Sequence, residues 1–332
     1  MRMHASSSGY KGILIDEEGI RHGILVDGKF EESRTEYDEY VFTPTFFNAH
    51  THLGDAIGKD PPFKDLKSLV APGGYKFKVL SSYSVEELRN AVIHEIKIAK
   101  ASGTSAFLDF RESGIEGLRV TQGIEGVITL GRPNSVEDAE KIDCMGFGMS
   151  STRDHEFELL CEIRKIAKKR RLIFAIHAGE MDCGDVEKAL ELKPDLLVHM
   201  NSCPELLKGF IDLGIPIVSC IRSNAFFGLL NSKAYGILSE YEKWLLGTDN
   251  AMLFNPSMLE EMHFASIVVR RDLEVFKACV RGFRLFDVPR GYVVFHREGN
   301  LRNSRNLVSS IVRRASLMDI EYIQQVTEKF IY

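Results

Sequence analysis

Along this chain, short apolar runs alternate with longer stretches in which apolar residues recur every three to four positions, a pattern that predicts strand and helix in turn. Residues 84–101 place Leu88, Val92, Ile96 and Ala99 on one face, behind a Ser84/Glu87 pair with capping-box spacing. Residues 156–169 repeat the pattern with Leu159, Leu160, Ile163 and Ile166. Strands are predicted over 104–109, 126–130, 143–147 and 216–220, and in the runs that end at His177, His199 and Asp249. With the run that ends at His50 and His52, these make eight. Near-continuous apolar strands between amphipathic helices predict a parallel sheet covered by helices. Eight units fit an α/β fold of the (β/α)8 TIM type. A doubly wound open sheet is disfavoured, because no Gly-X-Gly-X-X-Gly opens the first helix.

The two ends read differently. Residues 12–15, 23–26 and 40–42, and later 292–295 and 307–312, are short apolar runs separated by Gly, Asp and Asn turn chemistry. Neither set is large enough to bury a core alone. The expectation is one small β-sandwich domain assembled from residues 1–43 and 287–332, beside a barrel of residues 44–286.

Composition adds limits. The chain has 332 residues and a barrel takes about 250, which leaves room for that second unit. Apolar content of 44% with 27% charged residues is ordinary for a globular protein. The net charge of -5 offers no Lys/Arg excess of the kind a phosphate-binding surface needs, so no nucleic-acid partner is expected. The one basic run, residues 168–171, ends a predicted helix, where cations suit the dipole. Six scattered cysteines without a Cys-X-X-Cys pair read as reduced thiols of a cytoplasmic protein. The amino terminus has no apolar signal core and no run of about 18 apolar residues occurs, so neither secretion nor a membrane is expected.

Candidate chemistry sits where the apolar runs end. His50 and His52 are two residues apart at the end of one run, so a strand presents both on one face, placed to grip a metal ion. His177 in His-Ala-Gly-Glu180, His199 after Leu-Leu-Val, and Asp249 in Gly-Thr-Asp-Asn each close a further run. In a barrel these positions converge on one mouth. This ordered series resembles the amidohydrolase superfamily over nearly the whole chain, most closely its cytosine deaminase, adenosine deaminase and chlorohydrolase-like branches.

The resemblance carries expectations. His50, His52, His177 and Asp249 supply the donor types of a catalytic Zn2+ or Fe2+ site. One ion per chain is expected, because residues 146–152 at the fourth strand end offer no bridging lysine or glutamate of the binuclear relatives. Glu180 matches the glutamate that shuttles a proton to a ring nitrogen, although taken alone it reads as a helix-start carboxylate. His199 matches the histidine that hydrogen-bonds the attacking hydroxide, and Asp249 holds that hydroxide as well as the metal. Arg111, with Glu112 beside it, Asn201, Ser223 and Asn224 follow strand ends and are candidate substrate contacts; Arg111 reads equally well as a salt bridge to a neighbouring loop. Residues 60–75, rich in Pro, Gly and aromatics, are a candidate lid.

The implied function is hydrolytic deamination of an amino-substituted nitrogen heterocycle of cytosine, purine or pterin type, by metal-activated water. The alternatives are a cyclic amidohydrolase or chlorohydrolase using the same metal site, and a non-catalytic barrel scaffold. The His-X-Glu and Pro-Cys-X-X-Cys signature of base-flipping deaminases is missing. The expected partner is a small heterocycle, and homo-oligomerisation is left open.

Overall fold

The computed structural model describes residues 9–324, so the outermost parts of the expected end domain, 1–8 and 325–332, lie outside the described residues. Its strands form two sheets. The first four are β1 (Tyr10–Asp16), β2 (Gly19–Val26), β3 (Lys29–Glu32) and β4 (Tyr40–Pro44). Next come β5 (Phe46–His52), β6 (Thr104–Arg111), β7 (Val127–Gly131), β8 (Gly146–Met149), β9 (Ile173–Ala178), β10 (Leu196–His199), β11 (Ile217–Ser219), β12 (Trp244–Leu246) and β13 (Asp249–Asn250). The last are β14 (Tyr292–His296) and β15 (Ile320–Ile323).

β5 to β12 pair in sequence order, each parallel to the next, and β13 returns to pair with β5 at Asp249↔Thr51 and Asn250↔His52. β12 and β13 are separated only by Gly247 and Thr248. The sheet therefore curls round on itself, consistent with a TIM-like barrel. Alternation along its strands sorts the buried residues into two clusters, as a sheet covered on both faces requires. Ala49, Leu108, Phe110, Leu130, Ala175, Val198 and Val218 fill one. Phe147, Phe174, Ile176, Leu197, Ile217 and Trp244 pack with the helices in the other.

The second sheet has the order β15-β14-β4-β1-β2-β3, and β4 lies between β14 and β1. Early and late segments thus share one sheet through the antiparallel β4–β14 pairing, with Thr43↔Val293 and Val41↔Phe295. Ile13, Ile15, Val41, Val293 and Phe295 join the helix-lined cluster of the parallel unit, while Leu14, Leu25, Phe42 and Val294 form a small cluster of their own. This is one sheet laid against helices, not the expected sandwich.

The expected strand over 307–312 is a helix, Leu307–Arg314. Asn306 caps it by accepting the Ser309 N–H at 3.0 Å, and Val308, Ile311 and Val312 are buried at helical spacing. Val and Ile give that run a strand-like composition, but the cap and the packing surface decide its conformation. No helix among the described residues is long and apolar enough to cross a membrane.

Candidate active site

The carboxyl ends of β5, β9, β10 and β13 deliver the site. In a regular strand His50 would point the same way as Asn48. The β5–β6 register shifts between Asn48 and Thr51, however, and such an irregularity re-aims side chains. Asn48 pins it, accepting the Thr248 N–H at 3.1 Å and donating to Thr248 Oγ1 at 2.7 Å. The His50 ring consequently lies 4.3 Å from Phe110 and 4.9 Å from His52, centroid to centroid.

The residues after the other strands bend sharply. Gly179 takes φ +63° and donates its N–H to Asp185 at 2.9 Å; this is a left-handed turn that suits glycine, and an added Cβ would meet Met200 Sδ at 2.8 Å. His199 (φ 80°), Met200 (φ 64°) and Asp249 (φ 62°) adopt left-handed backbone without being glycine. Such conformations cost about 1–3 kcal/mol each and persist where the surroundings enforce them.

His50 Nε2 lies 3.2 Å from Asp249 Oδ1 and 3.2 Å from His177 Nε2. His52 Nε2 is 3.7 Å from the same Asp249 oxygen. His177 Nδ1 contacts the Met149 carbonyl at 2.8 Å. A carbonyl only accepts, so Nδ1 carries the proton and Nε2 presents a lone pair to the cluster. Ligand atoms of His50, His177 and His199 lie within 4.8 Å of one another, as do those of His50, His52 and Asp249, and those of Glu180, His199 and Asp249. Imidazole lone pairs converging with a carboxylate fit a divalent cation.

The electrostatics agree with that fit. Burial lowers the pKa of His50, His177 and His199, and brings His52 down to about 3, keeping the rings neutral as ligands must be. Burial would raise Asp249, but the hydrogen bond with His50 and the nearby imidazoles hold it well below the usual carboxylate range. Glu180 goes the other way: burial first, then the charges of Asp249 and Asp185, push it well above that range. Its Oε2 is 3.5 Å from His199 Nε2.

His52, His177, Glu180, His199 and Asp249 line a cavity of about 460 Å³. Leu66, Lys67, Val70 and Ala71, from the stretch considered as a lid, form part of its wall. So do Lys76, Glu112, Arg132, Ser150 and Arg153; of these, nothing in the sequence marks Lys76, Arg132 or Arg153 as facing a cavity.

The four proposed substrate contacts lie behind this wall. Arg111 is buried among Glu112, Asp55 and Asp109. Asn201 donates to the carbonyls of Glu180 (3.0 Å) and Leu229 (2.9 Å), Ser223 donates to Asp249 Oδ2 at 2.5 Å, and Asn224 donates to Tyr235 Oη at 2.9 Å. Arg111, Asn201 and Ser223 thus brace Glu112, Glu180 and Asp249, which face the cavity, while Asn224 holds Tyr235. A second departure concerns the thiols: Cys183 and Cys203 form a disulfide, whereas all six cysteines were expected to be reduced. β9 and β10 pair with Ala178 opposite His199, which brings the two following loops together.

No protein-family model matches the chain. A protein of Archaeoglobus fulgidus named "Putative aminohydrolase" is 52% identical over 316 residues, covering 95% of this chain and 96% of its own. The chain belongs to the amidohydrolase superfamily. It is a hydrolase of carbon–nitrogen bonds, and its His and Asp cluster is a possible metal site. Among solved amidohydrolase structures, guanine deaminase from C. acetobutylicum has a TM-score of 0.73 at 15% identity, covering 94% of this chain and 97% of that one. An adenosine deaminase from Xanthomonas campestris with bound zinc has a TM-score of 0.66 at 12% identity, covering 95% and 90%.

Proposed function

We propose that the chain is a mononuclear hydrolytic deaminase of an amino-substituted nitrogen heterocycle of cytosine, purine or pterin type, and that residues 44–286 carry the site beside an end unit built from 1–43 and 287–332. His50, His52, His177 and Asp249 would hold one Zn2+ or Fe2+. The ion, when bound, acts as a Lewis acid that brings the pKa of water towards 7. The observation that carries the reading is the placement of Glu180. Its carboxyl faces the cavity beside His199, and its environment favours the protonated form.

Deamination adds the oxygen of water to an amidine carbon, breaks the bond to the exocyclic nitrogen and releases ammonia. Protons must travel from water to nitrogen. Asp249, held ionised, is placed to accept one, and Ser223 holds its second oxygen so that the carboxylate keeps one orientation. Glu180, a carboxylic acid in a buried setting, is placed to protonate a ring nitrogen and to be recharged afterwards. His199 can hydrogen-bond the oxygen that adds to the ring. A cavity of about 460 Å³ lies within the range of small-molecule sites, roughly 300–1,000 Å³. The named activities of the guanine and adenosine deaminases support the same class of substrate.

The test is turnover by zinc- or iron-loaded protein across a panel, read as ammonia release from aminopyrimidines, aminopurines and pterins, chloride release from chlorotriazines and ring opening of cyclic amides. Turnover confined to cyclic amides or chlorinated rings would replace deamination with that chemistry. A protein that binds metal and turns over none of the panel would favour a scaffold.

A further inference from the structure

His52 faces a conflict that His50 and His177 do not. Its Nδ1 lies 3.3 Å from Lys76 Nζ, which can only donate, and 3.0 Å from Glu112 Oε1, which as a carboxylate can only accept. One nitrogen cannot serve both. If it accepts from Lys76, the ring proton sits on Nε2, which then has no lone pair to offer Asp249's side of the cluster. If it donates to Glu112, Nε2 is free.

The surrounding charges choose between them. Lys76 Nζ already donates to Glu112 Oε1 at 2.5 Å and pairs with Asp55 Oδ2 at 2.8 Å, so its ammonium is satisfied without the imidazole. Glu112 is anchored on its other oxygen by Arg111 Nη2, and Arg132 Nη2 lies 3.8 Å from Oε1. The carboxylate is therefore fixed in place, and its nearest unfilled demand is a proton donor in the direction of His52. Such carboxylate–histidine pairs set the tautomer of ligating imidazoles.

We propose that Glu112 is a positioning residue that locks His52 in the Nδ1–H tautomer, turning its Nε2 lone pair towards the metal site, while engaging the Lys76 ammonium that would otherwise reverse the tautomer. This rests on His52 being a metal ligand, as proposed above. Lys76 is the threat and Glu112 the device that contains it. Together they make the readiness of the cluster to take a cation depend on a residue outside the ligand set.

The test reads the tautomer directly. In metal-free protein with 15N-labelled histidine, long-range 1H–15N spectra, assigned by the signals lost in His52→Gln, should place the His52 proton on Nδ1. In Glu112→Gln it should move to Nε2 or divide between the two, because the amide no longer holds Lys76 by charge. Zinc affinity by chelator competition should then fall roughly 10- to 100-fold. Lys76→Met/Glu112→Gln, which removes the competing donor with the charge, should restore the Nδ1–H tautomer and most of the affinity. An Nε2–H tautomer in the metal-free wild type would overturn the proposal, and so would a folded Glu112→Gln protein with tautomer and affinity unchanged. Should Glu112→Gln not fold, the wild-type spectrum decides. Wild-type protein that shows the Nδ1–H tautomer but binds no zinc or iron would instead refute the metal assignment, so the two failures are distinguishable.

Discussion

Gly247 lies against the backbone of His50: a Cβ added at residue 247 would meet the His50 nitrogen at 2.7 Å, its Cβ at 2.8 Å and its carbonyl oxygen at 2.9 Å. The glycine of Gly-Thr-Asp is thus required by the approach of two strand ends. Gly247→Ala must push that junction apart or shift His50. Overpacking of this kind costs about 1–3 kcal/mol. The expected result is a folded protein with a lowered melting temperature and weakened metal binding, measured by calorimetry and chelator competition. Unaltered metal affinity would mean that His50 is not held by this contact.

His50→Ala and His177→Ala should each abolish stoichiometric metal binding, while the circular dichroism spectrum stays that of the wild type. The loss should exceed the roughly 10- to 100-fold that removal of an outer partner costs. Both side chains sit at strand ends, His177 lining the cavity and His50 buried between it and Phe110, whereas most of the packed interior is built from Leu108, Leu130 and their neighbours. Elemental analysis should find one zinc or iron per wild-type chain; two would show that residues beyond this set ligate.

What the sequence made legible follows from which physical constraints are local. The strand-ending positions of His50, His177, His199 and Asp249 could be read because an apolar run interrupted by a polar residue is a one-dimensional signal, and the parallel pairing of β9 with β10 and of β13 with β5 turns such positions into neighbours. Lys76 and Glu112 could not be weighed that way. Lys76 sits in a six-residue helix, Tyr75–Leu80, within a loop whose composition reads as surface, and its ammonium is buried against Asp55, Glu112 and His52, neighbours that come from other parts of the chain. Arg111 had two readings of equal standing, and three carboxylates around it favour the ion pair. The Cys183–Cys203 bond needs the adjacency of two loops, which spacing alone does not encode.

That bond has a simple test. Thiol titration of denatured, unreduced protein should find four free cysteines, Cys144, Cys161, Cys220 and Cys279. Closing a loop of 20 residues stabilises by about 3 kcal/mol on chain-entropy grounds, so reduction or Cys183→Ser should lower the denaturation midpoint accordingly. Six free thiols in the purified protein would contradict the bridge.

Asp109 should make metal-free stability fall as pH rises. Burial pushes its carboxyl up to about 6 from 3.8, despite Arg111 beside it and the Leu53 N–H that it accepts at 2.6 Å. The folded state then holds a proton that the unfolded chain has released. Its contribution is complete below 3.8 and is lost as pH climbs to about 6, a change of at most about 3 kcal/mol. Asp109→Asn can still accept from Leu53 but does not ionise, so the difference in unfolding free energy between variant and wild type should grow across that window. A constant difference would place Asp109 among ordinary carboxylates.

Glu180→Gln separates catalysis from metal binding. Among the described residues, Glu180 shares a cluster of donor atoms with His199 and Asp249 but not with His50 or His52, as suits a group beside the metal and not on it. The glutamine keeps size and hydrogen-bonding shape yet cannot give and retrieve a proton, so zinc content should remain near one per chain. Turnover should fall by about 10²- to 10⁴-fold, and towards the upper end because the same carboxyl would serve more than one transfer. His199→Ala should be milder, since it removes a hydrogen-bond partner of the adding oxygen and leaves the proton route intact. The pH profile adds a second check: the protonated form of Glu180 is favoured by its surroundings, so activity that depends on it should decline as pH rises past its raised pKa, and that limb should vanish in the glutamine variant. A fully metallated Glu180→Gln protein that turns over at the wild-type rate would remove Glu180 from the mechanism, and one that has lost its metal would make Glu180 a ligand.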